Sequence, residues 1–350
     1  MKNTLIFILI AVVLSSCNQD PIFFTISLEV TPLKPRIEGF PSAVMKGAVL
    51  YVISKGGAVI HQYNNGNWTE LSKGKVSGRL HQLAATDTAL YVLAGEIGSL
   101  KVWKTTDLSN WTDLSISGDI QAIYGAGDTV FIASRTKSGS SEEFAISYEK
   151  DGTVALLQSE TALLTGAATD GTNYYLSTAG KGILCYDSSF VLLNEASSLT
   201  MRGIIALEDT TIAAVSSTGL LYNTIASPTT FDQKTFDVTF TGAMALWEGN
   251  GNKFLLLGVS SSSVDGYREI PLAADGSLSN PETLQMPGKA DSTTLEGSDT
   301  FERFETGLGL YPVMGLFQAG DAILFAAPLQ NGLWSYRERS EGWQWNAESK

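Results

Sequence analysis

Seven β-prone runs about forty residues apart, a turn signal before each, and no long stretch of helical periodicity predict an all-β protein: after an N-terminal export signal, a β-propeller of seven four-stranded blades. The runs are VLYVIS from 49, ALYVLA from 89, TVFIAS from 129, NYYLST from 173, TIAAVS from 211, KFLLLG from 253 and AILFAA from 322. Their starts are separated by 40, 40, 44, 38, 42 and 69 residues, so the last gap is one period plus an insertion of about thirty.

Read from the N-terminus, residues 1–16 carry Lys2, an apolar run from Leu5 to Leu14, and Ser15 and Ser16 directly before Cys17. The run is too short to span a bilayer as a mature helix and has the form of a removable signal peptide. LSSC at 14–17 resembles the bacterial lipobox, whose cysteine is acylated on sulfur and becomes the new N-terminus. The resemblance implies a lipoprotein lipidated at Cys17 by palmitate-type chains. These would anchor it to an inner or outer membrane of the cell envelope, with its body in the periplasm or on the cell surface. Residues 17–38 are read as the lipidated cysteine and a tether, with FFTISLEV at 23–30 expected to add a strand to the last blade and close the ring; 39–350 form the propeller.

Each unit repeats four steps. A short apolar segment opens it: FPSAVM from 40, LHQLAA from 80, IQAIYG from 120, LTGAAT from 164, MRGIIA from 201, FTGAMA from 240 and YPVMGL from 311. The β-prone run follows after a turn such as Asp87-Thr88, Gly127-Asp128 or Asp170-Gly171, residues suited to tight reversals. A Gly- or Ser-rich loop then leads to a third strand, for example LKVWKT or ILCYD, and to a fourth such as NWTEL from 67, NWTDL from 110 or WQWNA from 343. One meander cannot bury both its faces, whereas seven stacked radially cover every sheet and leave only short edges. The insertion at about 280–304 is polar and is read as a disordered or loosely packed flap. Trp334, Tyr336, Trp343 and Trp345 are read as aromatics packed between adjacent blades.

Once Lys2 leaves with the signal, 22 Lys and Arg face 36 Asp and Glu, a formal charge of −14. That surface repels a phosphate backbone, so no nucleic-acid partner is expected, and the acidity reads first as a solubility device. Cys185 is the only cysteine left after Cys17 is modified, so no intramolecular disulfide is expected; it is read as a small core residue.

Over residues 40–348 the units look like blades of the bacterial kelch-like and sialidase-type propellers. TTDLSNWTDL at 105–114 is similar to the Asp-box turn of sialidase-like propellers, with four residues from Asp107 to Trp111 and Ser109 near the glycine position. The resemblance implies a structural hairpin between third and fourth strands, remote from a catalytic face, and so implies no enzyme.

Residues able to carry chemistry are sparse. The histidines are His61 and His81, in different units, and no HExxH, HxH or paired CxxC occurs, so neither a metal nor another cofactor is expected. His61 is read as a polar residue facing solvent on an alternating strand. No GxSxG marks a nucleophile elbow, the eight arginines do not recur at one blade position, and the seven opening segments lack the carboxylates a glycosidase requires. The second residues of those segments are Pro41, His81, Gln121, Thr165, Arg202, Thr241 and Pro312. Inner strands begin at the face where inter-blade loops gather around the channel. His81, Gln121, Thr165, Arg202 and Thr241 are therefore expected to form a polar funnel at the channel mouth, ringed by loops carrying Lys55, Glu96, Arg135, Lys137 and Lys181; the alternative is a wet mouth with no ligand. The function expected is a non-enzymatic, membrane-anchored binding or scaffold lipoprotein that recognises a protein or glycan through its loop-bearing face. Two alternatives stand beside it: a glycan-active hydrolase or lyase at the mouth, and a subunit of an outer-membrane assembly machine.

Overall fold

The computed structural model describes residues 43–53, 57–138, 141–249, 252–260, 266–278, 281, 284, 285, 287, 312–320, 323–329, 332–339 and 342–348. The signal peptide, Cys17, the segment at 23–30, Pro41, Lys55 and most of 280–304 lie outside the described residues, as does the side chain of Lys137.

Seven antiparallel meanders are arranged in a ring, a seven-bladed β-propeller. Their innermost strands are Ala43–Lys46, Arg79–Ala85, Asp119–Ala126, Leu164–Thr169, Gly203–Ala206, Thr239–Gly249 and Val313–Ala319. Each packs against the inner strand of the next blade, and that of blade 7 against that of blade 1. Six blades are four-stranded sheets. In blade 6 three strands are joined by Gln285, which exchanges backbone hydrogen bonds with Glu269, both 2.9 Å, and so marks the fourth position. The start of the insertion thus occupies an outer blade position.

The second strands explain the visible period. Each is covered on both faces by neighbouring blades: all five residues of Tyr174–Thr178 and all four of Ile212–Val215 are buried, as are five of the six in Leu90–Gly95. A strand buried on both faces selects an uninterrupted apolar run rather than an alternating one. The core is accordingly divided among the blade junctions. Tyr51, Ile53, Leu80 and Val92 fill the junction of blades 1 and 2, and Tyr175, Ile183, Cys185 and Ile212 that of blades 4 and 5. Each fully buried Leu, Ile, Val or Phe contributes about 1.5–3 kcal/mol. Cys185 is a core residue, and burial together with the nearby Asp170 carboxylate pushes its thiol up to about 12. Tyr336 and Trp345 pack between blades 6 and 7 with Trp334 and Trp343 against them.

His61 corrects the sequence reading: it is 2% exposed, not solvent-facing. On the third strand of blade 1 (Ile60–Asn64), Ile60 packs toward blade 2 and Tyr63 toward blade 7, so alternation along it does not give it a wet face.

Among the described residues, side chains join blade 7 to blade 1. Ala43, Leu50, Val52 and Tyr63 of blade 1 pack with Ala319, Phe325, Ala327 and Leu333 of blade 7. At the outer end, the buried Glu348 carboxylate accepts from Trp68 Nε1 at 2.7 Å and from Ser335 Oγ, and pairs with Arg337 at 3.0 Å. Arg337 also donates to the Tyr63 hydroxyl at 3.1 Å. Among the described residues all four strands of blade 7 come from its own contiguous segment, ending at Gly342–Ala347.

Candidate functional site at the channel mouth

The predicted mouth positions coincide with a recurrent irregularity in backbone pairing. In blade 2 Leu80 faces Ala94 and Gln82 faces Leu93, leaving His81 as the extra residue of a β-bulge. Gln121 is the extra residue in blade 3 and Thr165 in blade 4. In blade 5 both Arg202, through its N–H at 2.7 Å, and Gly203, by register, face Val215. In blade 6 Thr241 to Ala243 occupy the shift between Phe240 and Met244. A bulge sharpens the local twist and re-aims a side chain, so its repetition gives the mouth its shape. Blade 7 places Met314 at the bulge, two residues beyond Pro312.

The polar groups at these positions are bonded to the scaffold. His81 Nε2 donates to Gly95 O at 2.9 Å. The Gln121 amide donates to Asp119 O at 3.2 Å, and Thr165 Oγ1 to Ser177 Oγ at 3.0 Å. The other two are inter-blade struts: the Arg202 guanidinium donates to Phe240 O at 2.5 Å, and Thr241 Oγ1 to Val313 O at 2.5 Å. Arg202 is exposed and the others are partly buried.

Two features were passed over in the sequence. Asp119, one residue before the segment read from 120, opens the inner strand of blade 3, and its Oδ2 is held by Arg135 Nε at 2.9 Å and NH2 at 2.5 Å. Oδ2 is thus held in an ion pair, while Oδ1 is buried with no hydrogen-bond partner among the described residues. The second feature is a residue-glycine pair in four consecutive blades: Thr165-Gly166, Arg202-Gly203, Thr241-Gly242 and Met314-Gly315. A Cβ on Gly203 would meet Gly242 O at 2.2 Å, and one on Gly242 would meet Arg202 O at 2.3 Å. Only glycine lets these inner strands approach so closely.

Below the mouth lies a central cavity of about 830 Å³, lined by inner strands of blades 1 and 4–7 and by Tyr124 of blade 3. Of the five predicted residues only Thr165 lines it. Its wall reaches the opposite face at Gly47 and Gly320, in the turns that follow the inner strands of blades 1 and 7. Among the described residues no cluster of His, Cys, Asp and Glu is arranged to hold a metal ion.

The Asp-box-like turn is formed. Asp107 Oδ1 accepts from the backbone of Ser109 at 2.9 Å and of Asn110 at 2.7 Å, while Oδ2 accepts from Asn110 Nδ2 at 2.7 Å. Those hydrogen bonds hold the Asp107 carboxyl well below the usual carboxylate range. Trp111, 5% exposed, packs into the junction of blades 1 and 2 and donates Nε1 to Ser72 O at 3.1 Å.

A closed ring of seven meanders around an axial channel defines the chain as a seven-bladed β-propeller. It is similar in structure to the WD40 β-propeller domain of Doa1, at 12% identity and a TM-score of 0.57, covering 90% of this chain and 98% of that one. Virginiamycin B lyase from Staphylococcus aureus is similar at 11% identity and TM-score 0.51, over 85% and 95% of the two chains. Kuenenia stuttgartiensis hydrazine synthase is similar at 13% and 0.51, over 88% and 97%. At these identities the likeness is one of fold, shared by proteins of different function. The chain matches no protein-family model and no curated protein sequence.

Proposed function

We propose that the protein is a non-enzymatic binding module of the bacterial cell envelope, anchored through lipid on Cys17, that recognises a protein or glycan at the loop-bearing mouth of the propeller. The observation that carries this reading is the state of the mouth. His81, Gln121, Thr165, Arg202 and Thr241 stand at the bulged starts of the inner strands, and each is fixed by a hydrogen bond to the scaffold. Polar groups held rigidly lose little conformational freedom on binding, which favours recognition. A hydrolase would want two carboxylates converging about 5–10 Å apart. At the mouth Asp119 Oδ2 is ion-paired with Arg135, and the cavity wall includes no acidic side chain among the described residues.

The test is affinity purification of the tagged full-length protein from its own membranes, with the wild type and a His81→Ala/Arg202→Ala variant in parallel. A partner recovered with the wild type and depleted with the variant supports the proposal. Equal recovery, with both proteins folded by circular dichroism, would overturn the assignment to the mouth. Recovery with the wild type of stoichiometric outer-membrane assembly components would instead favour the machine-subunit reading.

A further inference from the structure

Thr165 apart, the wall of the central cavity is made of residues that the proposed recognition at the mouth does not use. Val44, Ile204, Met244, Leu246 and Phe317 stand on it, each partly exposed, between glycines that contribute no side chain. The polar side chains on the wall are satisfied by the protein itself. The Gln318 amide accepts from Glu248 N at 3.0 Å and donates to Glu248 O at 3.3 Å, Thr165 donates to Ser177, and the Tyr124 hydroxyl engages Gln82. No Asp, Glu, Lys, Arg or His stands among the described lining residues. What remains for an occupant is hydrocarbon, together with backbone N–H and C=O groups along the inner strands, which are the edges of their sheets. Hydrocarbon kept against water is unfavourable in proportion to its area, and a charged ligand would lose hydration there without finding a partner.

We infer that this cavity is a binding site for an uncharged, predominantly apolar small molecule carrying a few hydrogen-bonding groups. Its volume of about 830 Å³ falls in the range of roughly 300–1,000 Å³ typical of small-molecule sites. The site shares only Thr165 with the loop-face proposal, and the rest of its wall reaches toward the opposite face of the ring at Gly47 and Gly320.

The probe is a neutral aliphatic diazirine, photolysed with the full-length protein in its membranes and mapped by peptide mass spectrometry, with a carboxylate-bearing analogue alongside. Labelling is expected to concentrate on peptides spanning 203–206 and 242–246 with the neutral probe. It should fall at least about tenfold with the charged analogue, because a carboxylate cannot be paired there. Met244→Glu should abolish the enrichment and Met244→Leu should retain it within about twofold. Labelling spread evenly over the surface, equal labelling by the charged analogue, or enrichment unchanged in Met244→Glu would each overturn the site. Should Met244→Glu fail to fold, the comparison of neutral and charged probes on the wild type still decides.

Discussion

Replacing Glu348 by alanine should loosen the ring where it closes. The carboxylate is 3% exposed, accepts from Trp68 Nε1 at 2.7 Å and from Ser335, and pairs with Arg337 at 3.0 Å. Its removal leaves an indole N–H, a hydroxyl and a guanidinium without their shared acceptor. Breaking a buried charge pair costs about 3–5 kcal/mol, and the loss of three hydrogen bonds at about 1–1.5 kcal/mol each gives a similar figure. A body of about 300 residues has an unfolding entropy near 0.6 kcal/mol per kelvin, so the melting temperature should fall by about 5–8 °C. Scanning calorimetry measures this, and a cycle with Trp68→Phe isolates the inter-blade part, where the double variant should be less destabilised than the sum of the two singles. A drop below about 1 °C, or strict additivity, would refute side-chain closure of the ring at this junction.

Glu149 is fully buried between blades 2 and 3, where it accepts from Lys104 at 2.8 Å, Tyr91 at 2.5 Å and Gly152 N at 2.7 Å. Burial alone would raise its carboxyl, but those hydrogen bonds outweigh it and hold the group below the ordinary value. A depressed folded-state value means its stabilisation is present above the unfolded carboxylate range, near pH 4.5, and is lost as pH falls through the folded value. Denaturant titrations should therefore show a shallower loss of stability below about pH 4.5 in Glu149→Gln than in the wild type; parallel curves would exclude the role. Gly203→Ala should cost at least about 1–3 kcal/mol, because the new Cβ meets backbone at 2.2 Å, and an unchanged urea midpoint would contradict the close approach. Trp111→Phe should cost about 1 kcal/mol through its lost hydrogen bond to Ser72 O, read as a small downward shift in midpoint. Arg202→Ala, at an exposed position, should cost no more than about 1 kcal/mol by thermal melting, which is what makes it usable in the binding test.

The blade count was legible because second strands buried on both faces must be apolar throughout, so VLYVIS and its six counterparts stand out from looser segments. The same double burial explains why His61 was misplaced, since alternation signals a wet face only in a sheet covered on one side. Counting into each opening segment lands on the bulged residue where the bulge falls on the second position, as at Gln121 and Thr165. It missed Met314, because Tyr311-Pro312 lengthen the approach to blade 7; alignment on the following glycine would have corrected it. Asp119 escaped because a polar residue at a strand start carries no apolar signal. The Trp68–Glu348 contact joins residues 280 apart and has no local pattern, so this link between blades 1 and 7 could not be read from sequence.

The central claim is that the mouth binds its partner and leaves it chemically unchanged. Its most direct test is the mass of the captured protein or glycan before and after prolonged incubation with the purified protein. The account predicts an identical mass, with retention lost in the His81→Ala/Arg202→Ala variant. Shortened chains or new ends that form with the wild type and not with the variant would contradict it and establish turnover at the mouth.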